Sequence, residues 1–266
     1  MKRKMYLNGT FYPNNKNELI KYIENFTNSI ENNFYDKNIL PKAIIVPHAG
    51  YIYSGYTANI AYNLIAKYIK PKRIIVIGPS HKFRFDGVSI SFQNSYETPL
   101  GNLDIDNTYA KILENKFNFI GFLDTIHQEH STETQMPFIK YYFPNTKIIE
   151  MIYGKCDYKN LSLVIDDILN NKDNLLVIST DLSHFYPLDK AKQLDQICLN
   201  SIQNFDLSLD KQGCEACGMV GVKALLNSAK KSKLNIKLLD YKTSANINKD
   251  NSSVVGYGSW ILNQSN

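Results

Sequence analysis

The sequence predicts an α/β protein, one domain over 1–266, with a mostly parallel or mixed central sheet flanked by helices. Three observations predict it. The runs Ala43–Val46, Arg73–Ile77 and Leu175–Ser179 are short, β-branched and unalternating, as strands buried on both faces must be. Between them lie longer stretches whose apolar residues recur at spacings of three and four, so strand and helix alternate. Each run also breaks into a chemistry-bearing residue: Pro47-His48, Gly78-Pro79-Ser80-His81 and Thr180-Asp181-Leu182-Ser183-His184. Proline cannot donate a ladder hydrogen bond, so the first strand stops at Pro47. Parallel strands would deliver these residues to one sheet edge, where open α/β sheets place their ligands.

In chain order, residues 1–16 read as an irregular entry with Gly9 and Pro13. Glu18–Glu31 predicts a helix through Leu19, Tyr22, Ile23 and Phe26. After the first strand comes a glycine-containing turn, His48–Gly55, and a helix with Ala61, Leu64, Ile65 and Tyr68 on one face. Pro71 ends it, and the β-α-β unit puts strands 43–46 and 73–77 parallel and adjacent or nearly so. Val88–Phe92 reads as a further strand. Asp104 or Asp106 caps a helix to about Asn115, and Phe119–Asp124 is extended. Thr132 and Gln135 fit a capping box for a helix to Tyr142, with Pro137 in its first turn. Lys147–Ile152 is a strand, and Leu161, Val164, Ile165, Ile168 and Leu169 form a helical stripe. Helices from Ala191 to Phe205 and Gly218 to Lys230 flank a cysteine-containing turn. Ile236–Thr243 and Val254–Leu262 close the fold as strands, antiparallel at the sheet edge.

At 44% apolar and 21% charged residues the chain has ordinary globular composition, and no apolar run nears the ~20 residues that span a bilayer. The basic start, MKRKMYLNGTFYPNN, lacks the apolar centre of a signal peptide, so a cytoplasmic location is expected. A net charge of +5 with dispersed Lys and Arg excludes a basic nucleic-acid surface. The densest basic group, Lys230, Lys231 and Lys233, reads as a solvated helix end. Four cysteines are too few for a disulfide scaffold.

Two imidazoles, His48 and His81, from neighbouring parallel strands would make half of a transition-metal site. Asp181 either orients the His184 imidazole or caps the turn, and a histidine beside a metal but not bound to it is a natural general base. Glu129, His130 and Glu133 precede a helix, where acidic side chains favour the dipole; His127 reads as a surface residue. Cys217 starts a predicted helix, whose dipole lowers a thiol's pKa, and Cys214 at C-x-x-C spacing suggests a redox pair. No second pair completes a structural zinc site. Cys156 and Cys198 read as inert core residues. A serine hydrolase is disfavoured, since no G-x-S-x-G occurs and Ser80 and Ser183 only neighbour histidines in sequence.

Five segments, PHAGYIYSG (Pro47–Gly55), GPSH (Gly78–His81), EHSTETQMPF (Glu129–Phe138), STDLSH (Ser179–His184) and ACG (Ala216–Gly218), together resemble the Memo family. Its prokaryotic members are called AmmeMemoRadiSam system protein B. The resemblance spans essentially the whole chain and implies a fold similar to class III extradiol ring-cleaving (LigB-like) dioxygenases. Those enzymes hold non-haem iron with two histidines and a carboxylate. By that resemblance His48, His81 and Cys217 are the metal ligands, His184 stands at the position of the catalytic base, and Asp181 is a further pocket residue. A thiolate in place of the carboxylate softens the site, which then suits iron (Fe2+) or copper, with zinc ranking below them.

The expected function is thus a non-haem metal protein, a metal-dependent oxidoreductase or dioxygenase-like enzyme of unidentified substrate. The alternative is a binding or adaptor module whose pocket takes a peptide or protein partner. Expected partners are a small molecule or peptide and, by the resemblance, a radical-SAM protein of the same system; neither nucleic acid nor membrane is expected. Thiol redox through Cys214 and Cys217 is a third reading. Tyr51, Tyr53, Phe83 and Phe185 are the expected pocket walls.

Overall fold

The computed structural model describes residues 1–30 and 39–265. Its strands are β1 (Lys2–Arg3), β2 (Ile39–Val46), β3 (Arg73–Pro79), β4 (Val88–Ile90), β5 (Ser95–Tyr96), β6 (Leu103–Asp104), β7 (Ile120–Gly121), β8 (Lys147–Tyr153), β9 (Asn174–Ser179), β10 (His184–Tyr186), β11 (Asn235–Thr243) and β12 (Val254–Ser265). The main sheet runs β10-β12-β2-β9-β3-β8-β4-β7, with β11 pairing β12, while β1, β5 and β6 form a small second sheet. The sheet is mixed. Its centre, β2-β9-β3-β8, is parallel, and β12 and β4 flank that centre antiparallel.

The unalternating apolar runs follow from burial on both faces. Along β2, Ala43 and Ile45 enter one hydrophobic cluster, Ile44 and Val46 the other. The same split divides Ile75 and Ile77 from Ile74 and Val76 on β3. The helices Asn107–Lys116, Tyr158–Asn170, Leu188–Gln203 and Met219–Lys231 supply the first cluster. The helices Lys16–Asn28, Tyr56–Ala66 and Met136–Tyr142 supply the second. No helix among the described residues is long and apolar enough to cross a membrane.

Most expected elements are present, displaced by a few residues at their ends. Strands β2 and β3 are parallel with β9 between them, which satisfies the β-α-β expectation of near neighbours. Asp106, not Asp104, caps the helix Asn107–Lys116. The expected helix over 18–31 is Lys16–Asn28, capped by Asn15; the end foreseen at Glu31 lies outside the described residues. Lys231, at the basic helix end, pairs with Asp166.

The expected single helix from Thr132 to Tyr142 is instead two, His130–Glu133 and Met136–Tyr142. Glu129 caps the first through the amides of His130 and Ser131, while the Thr132 hydroxyl donates to the Glu150 carboxylate, 2.6 Å, and so leaves the capping box. His127, expected at the surface, is fully buried: Nδ1 lies 2.8 Å from Glu150 and Nε2 2.9 Å from the Ser89 hydroxyl. A buried imidazole needs both ring nitrogens partnered, and these two groups from β8 and β4 supply that. Cys198 lies in the core as expected but is not a free thiol, being joined by a disulfide to Cys214. The C-x-x-C pair is therefore split, because Cys214 points back to the helix Leu188–Gln203 and Cys217 points to the sheet edge.

Candidate metal centre

Because β2, β3 and β9 are parallel, their carboxyl ends lie together. His48 follows β2, His81 follows β3, and Asp181 follows β9. Cys217 arrives on the turn before the helix Met219–Lys231, and its amide donates to the Asp181 carbonyl. One donor atom each from His48, His81 and Cys217 lies within 4.8 Å of the others, a grouping that could hold a metal ion.

Each histidine is fixed through Nδ1. His48 Nδ1 lies 3.0 Å from the Ser179 hydroxyl, which also accepts from the Gln135 side-chain amide. His81 Nδ1 lies 3.1 Å from the Glu129 carboxylate. Both Nε2 atoms are left for the site, and His48 Nε2 is 3.3 Å from Cys217 Sγ. Partners of this kind set the tautomer and ring orientation of metal-ligating histidines.

Two glycines allow this convergence. A side-chain carbon at Gly78 would stand 2.5 Å from Ser131 Oγ, so the helix His130–Glu133 reaches β3 only over glycine. One at Gly218 would meet the Thr180 side chain at 2.5 Å, at the point where Cys217 approaches β9.

Electrostatics prepare the donors unequally. Burial, reinforced by His130 and His81, holds the His48 imidazole well below its ordinary pKa, so it is neutral and able to ligate at pH 7. A helix start is expected to lower the Cys217 pKa; the structure has the reverse. Packing around the sulfur and the facing Asp181 carboxylate push the thiol up to about 12, outweighing the amides of Asp181 and Gly218. In the metal-free protein Cys217 is a thiol, and a cation must displace its proton to bind it.

Asp181 does not orient His184. Its carboxylate accepts from the His48 backbone amide at 2.7 Å, and burial holds its pKa above the usual carboxylate range. It therefore shapes the turn that presents His48. His184 opens β10 opposite Val255, partly exposed, near His48, Asp181 and Asp195.

Sequence reasoning left Glu129 and His130 unassigned, yet both belong here. Glu129 is buried and faces both His81 Nδ1 and His130 Nδ1, the latter at 2.7 Å. Burial alone would raise its pKa, but hydrogen bonds from His130 and His81 hold it well below the carboxylate range. The His130 ring centre lies 4.3 Å from that of His81 and 5.2 Å from that of His48. His81, Glu129 and His130 form a second grouping with metal-ligand spacing. The helix-start expectation holds for Glu129, which caps the helix, but it does not foresee the two imidazoles that the same carboxylate faces.

Of the expected walls, Tyr51 is buried in the core against Phe138, whereas Phe83 and Phe185 are 41% and 74% exposed. Ser80 donates to the Phe83 carbonyl and Ser183 to that of Ala191, so neither is poised as a nucleophile.

A solved structure of similar fold, an uncharacterized protein from Escherichia coli K12, matches with a TM-score of 0.53 at 12% identity, covering 84% of this chain and all of that one. Among curated proteins, a MEMO1 family protein of Methanobrevibacter smithii is 33% identical over 98% of this chain and all of its own length. Another from Thermoplasma volcanium is 32% identical over 98% of each chain, and one from Aquifex aeolicus 32% over 94% of each. The family model described as Memo-like protein matches residues 3–261. With its five motifs on one fold and relatives matched end to end, the chain belongs to the Memo family.

Proposed function

We propose that the protein is a non-haem metal protein that holds iron or copper through His48, His81 and Cys217. The observation that carries this is the convergence of those three donors within 4.8 Å, with both imidazoles secured through Nδ1. Two imidazoles and a thiol suit a borderline-to-soft transition metal better than a hard cation, and a neutral His48 ligates without losing a proton. When bound, such a metal supplies a redox and Lewis-acid centre at the sheet edge.

The remaining side chains divide the work. Asp181 fixes the backbone that presents His48, and Glu129 fixes the rings of His81 and His130. His184, partly exposed, is the group to give or take a proton from a substrate, while His130 stacks beside His48 and His81. On this reading the protein is an oxidoreductase with a fold related to extradiol dioxygenases, working in the cytoplasm, with a radical-SAM protein as its system partner. Trapping free thiols at lysis tests the location, since a cytosolic setting would leave Cys198 and Cys214 reduced.

The deciding measurement is elemental analysis of protein purified without oxygen and without a metal-affinity tag, beside His48→Ala and Cys217→Ala. Near-stoichiometric iron or copper, lost in both variants, is the expected result. Equal metal content in all three proteins would refute the ligand assignment.

A second reading, a binding module for a peptide or protein, draws on Phe185, which stands exposed beside His184 in a left-handed backbone conformation. Retention of a partner by a His48→Ala/His81→Ala variant that lacks metal would favour it.

A further inference from the structure

A cavity of about 480 Å³ opens beside the centre and shares Cys217 with it. Buried Tyr153 and half-buried Cys217 line it together with Phe83 and Phe85, and the exposed, charged Arg84, Asp86 and Lys155 mark its mouth. The frame is backbone. Ser80 takes its amide to the Tyr153 carbonyl at 2.9 Å, Lys155 donates to Phe85 at 2.7 Å, and Gly87 donates to Lys155 at 2.9 Å. The Gly154 position stands against the Phe85 carbonyl too closely for any side chain, so loop and strand edge are pressed together.

On this fixed frame the two cations are unspent. Among the described residues neither Arg84 nor Lys155 has a carboxylate partner, so both are available to an anion. Asp86 offsets one of the two charges, which leaves the mouth net positive. Aromatic walls, a positive mouth and a metal-ligand thiol set apolar, charged and reactive groups in one cavity.

The geometry points to this cavity as the binding site of a small organic oxyanion, a carboxylate or phosphate ester on an aromatic or apolar body. The acid group lies between Arg84 and Lys155, the body against Phe83, Phe85 and Tyr153, and the far end reaches the Cys217 side of the metal centre. Arginine supplies a planar fork for an oxyanion and lysine a point charge, so the pair accepts either acid. A cavity of this volume lies within the range of small-molecule sites. The inference names a substrate class for the proposed metal centre and rests on that reading only through Cys217.

The test uses benzoate, phenyl phosphate and the neutral benzyl alcohol as probes, with affinities measured by calorimetry and ligand-observed NMR. The proteins are the wild type, Arg84→Ala/Lys155→Ala and Asp86→Asn, and metal content is assayed in each. The expected result is that at least one anion binds more tightly than benzyl alcohol, and which anion binds best identifies the acid. The double variant then loses about tenfold or more of that affinity and none for the alcohol. Asp86→Asn tightens the anion. Equal binding of all three probes, or anion binding unchanged in the double variant, would overturn the inference. Since both cations are exposed, the double variant should keep its fold and its metal. Metal loading with no discrimination among probes sinks this inference alone; anion selectivity without metal sinks the metal reading alone.

Discussion

The Glu129 carboxylate accepts from the backbone amides of His81, His130 and Ser131 and faces the Nδ1 atoms of two imidazoles. Replacing it by glutamine keeps the shape but removes the charge and one of its acceptor oxygens. Changes to a group that holds a ligand's ring weaken metal binding by roughly 10–100-fold, and Glu129→Gln is expected to fall in that range. Competition with a chelator of known affinity measures it, and wild-type affinity in the variant would show that His81 holds its pose unaided. At this scale the meeting of His48 and His81 was legible from their strand ends, and that of Cys217 with them from the family resemblance. Asp181 was legible as a pocket residue but not in its role. An aspartate three residues before a histidine invites a local pairing, whereas its partner is the His48 amide, far away in sequence. Cys217 was misjudged in sign, because burial and a neighbouring carboxylate are tertiary facts that no helix-start rule contains.

Among the elements, the short helix His130–Glu133 is held from two sides. Glu133 at its end accepts from the Tyr6 and Leu7 amides and the Tyr12 hydroxyl, each at 2.8 Å, and pairs with the buried Arg3 guanidinium at 2.7 Å. The entry segment is thereby strapped under the helix that carries His130, and Phe11 sets its ring 5.5 Å from that imidazole. Glu133→Ala strands Arg3 without its counter-charge. Breaking a fully buried pair costs about 3–5 kcal/mol, so the urea midpoint should fall sharply. A shift of less than a few tenths of a kcal/mol would mean that the guanidinium finds another acceptor. The parallel strands and their covering helices were readable from period and length. The break after Glu133 was not, because Thr132 gave up its capping role to a carboxylate on β8. The strap was equally hidden, since its glutamate partner lies more than a hundred residues away.

For the molecule as a whole, Glu150 ties β8 to both the buried His127 and the helix at Thr132. Burial would raise its pKa, but His127 reverses this and lowers it below the ordinary value of 4.5. A carboxylate depressed in the fold contributes stability that is fully present above that ordinary value. The contribution is lost as pH falls through the folded one. Glu150→Gln should therefore lower stability at neutral pH, and its gap to the wild type should narrow on acidification below about 4.5. Measuring both proteins side by side isolates this carboxylate from Asp181 and Asp195, whose raised values act in the opposite direction. A gap that stays constant down to pH 3 would assign the loss to packing. The α/β class and the sheet-edge location of the site were visible in the sequence at this scale. The Cys198–Cys214 bridge was not, since a lone C-x-x-C invites pairing within itself.

Strand β12 lies between β2 and the outer strands, so the strand that carries His48 has one neighbour, β9, made before Cys217 and another made well after it. A nascent chain arrested just past Cys217 would hold every proposed ligand and still leave one side of β2 open to solvent. On the proposed metal reading, a centre built on a fully paired β2 forms only once Val254–Ser265 arrives, so the timing of translation, and not only the affinity of the ligands, would bear on which ion is taken up.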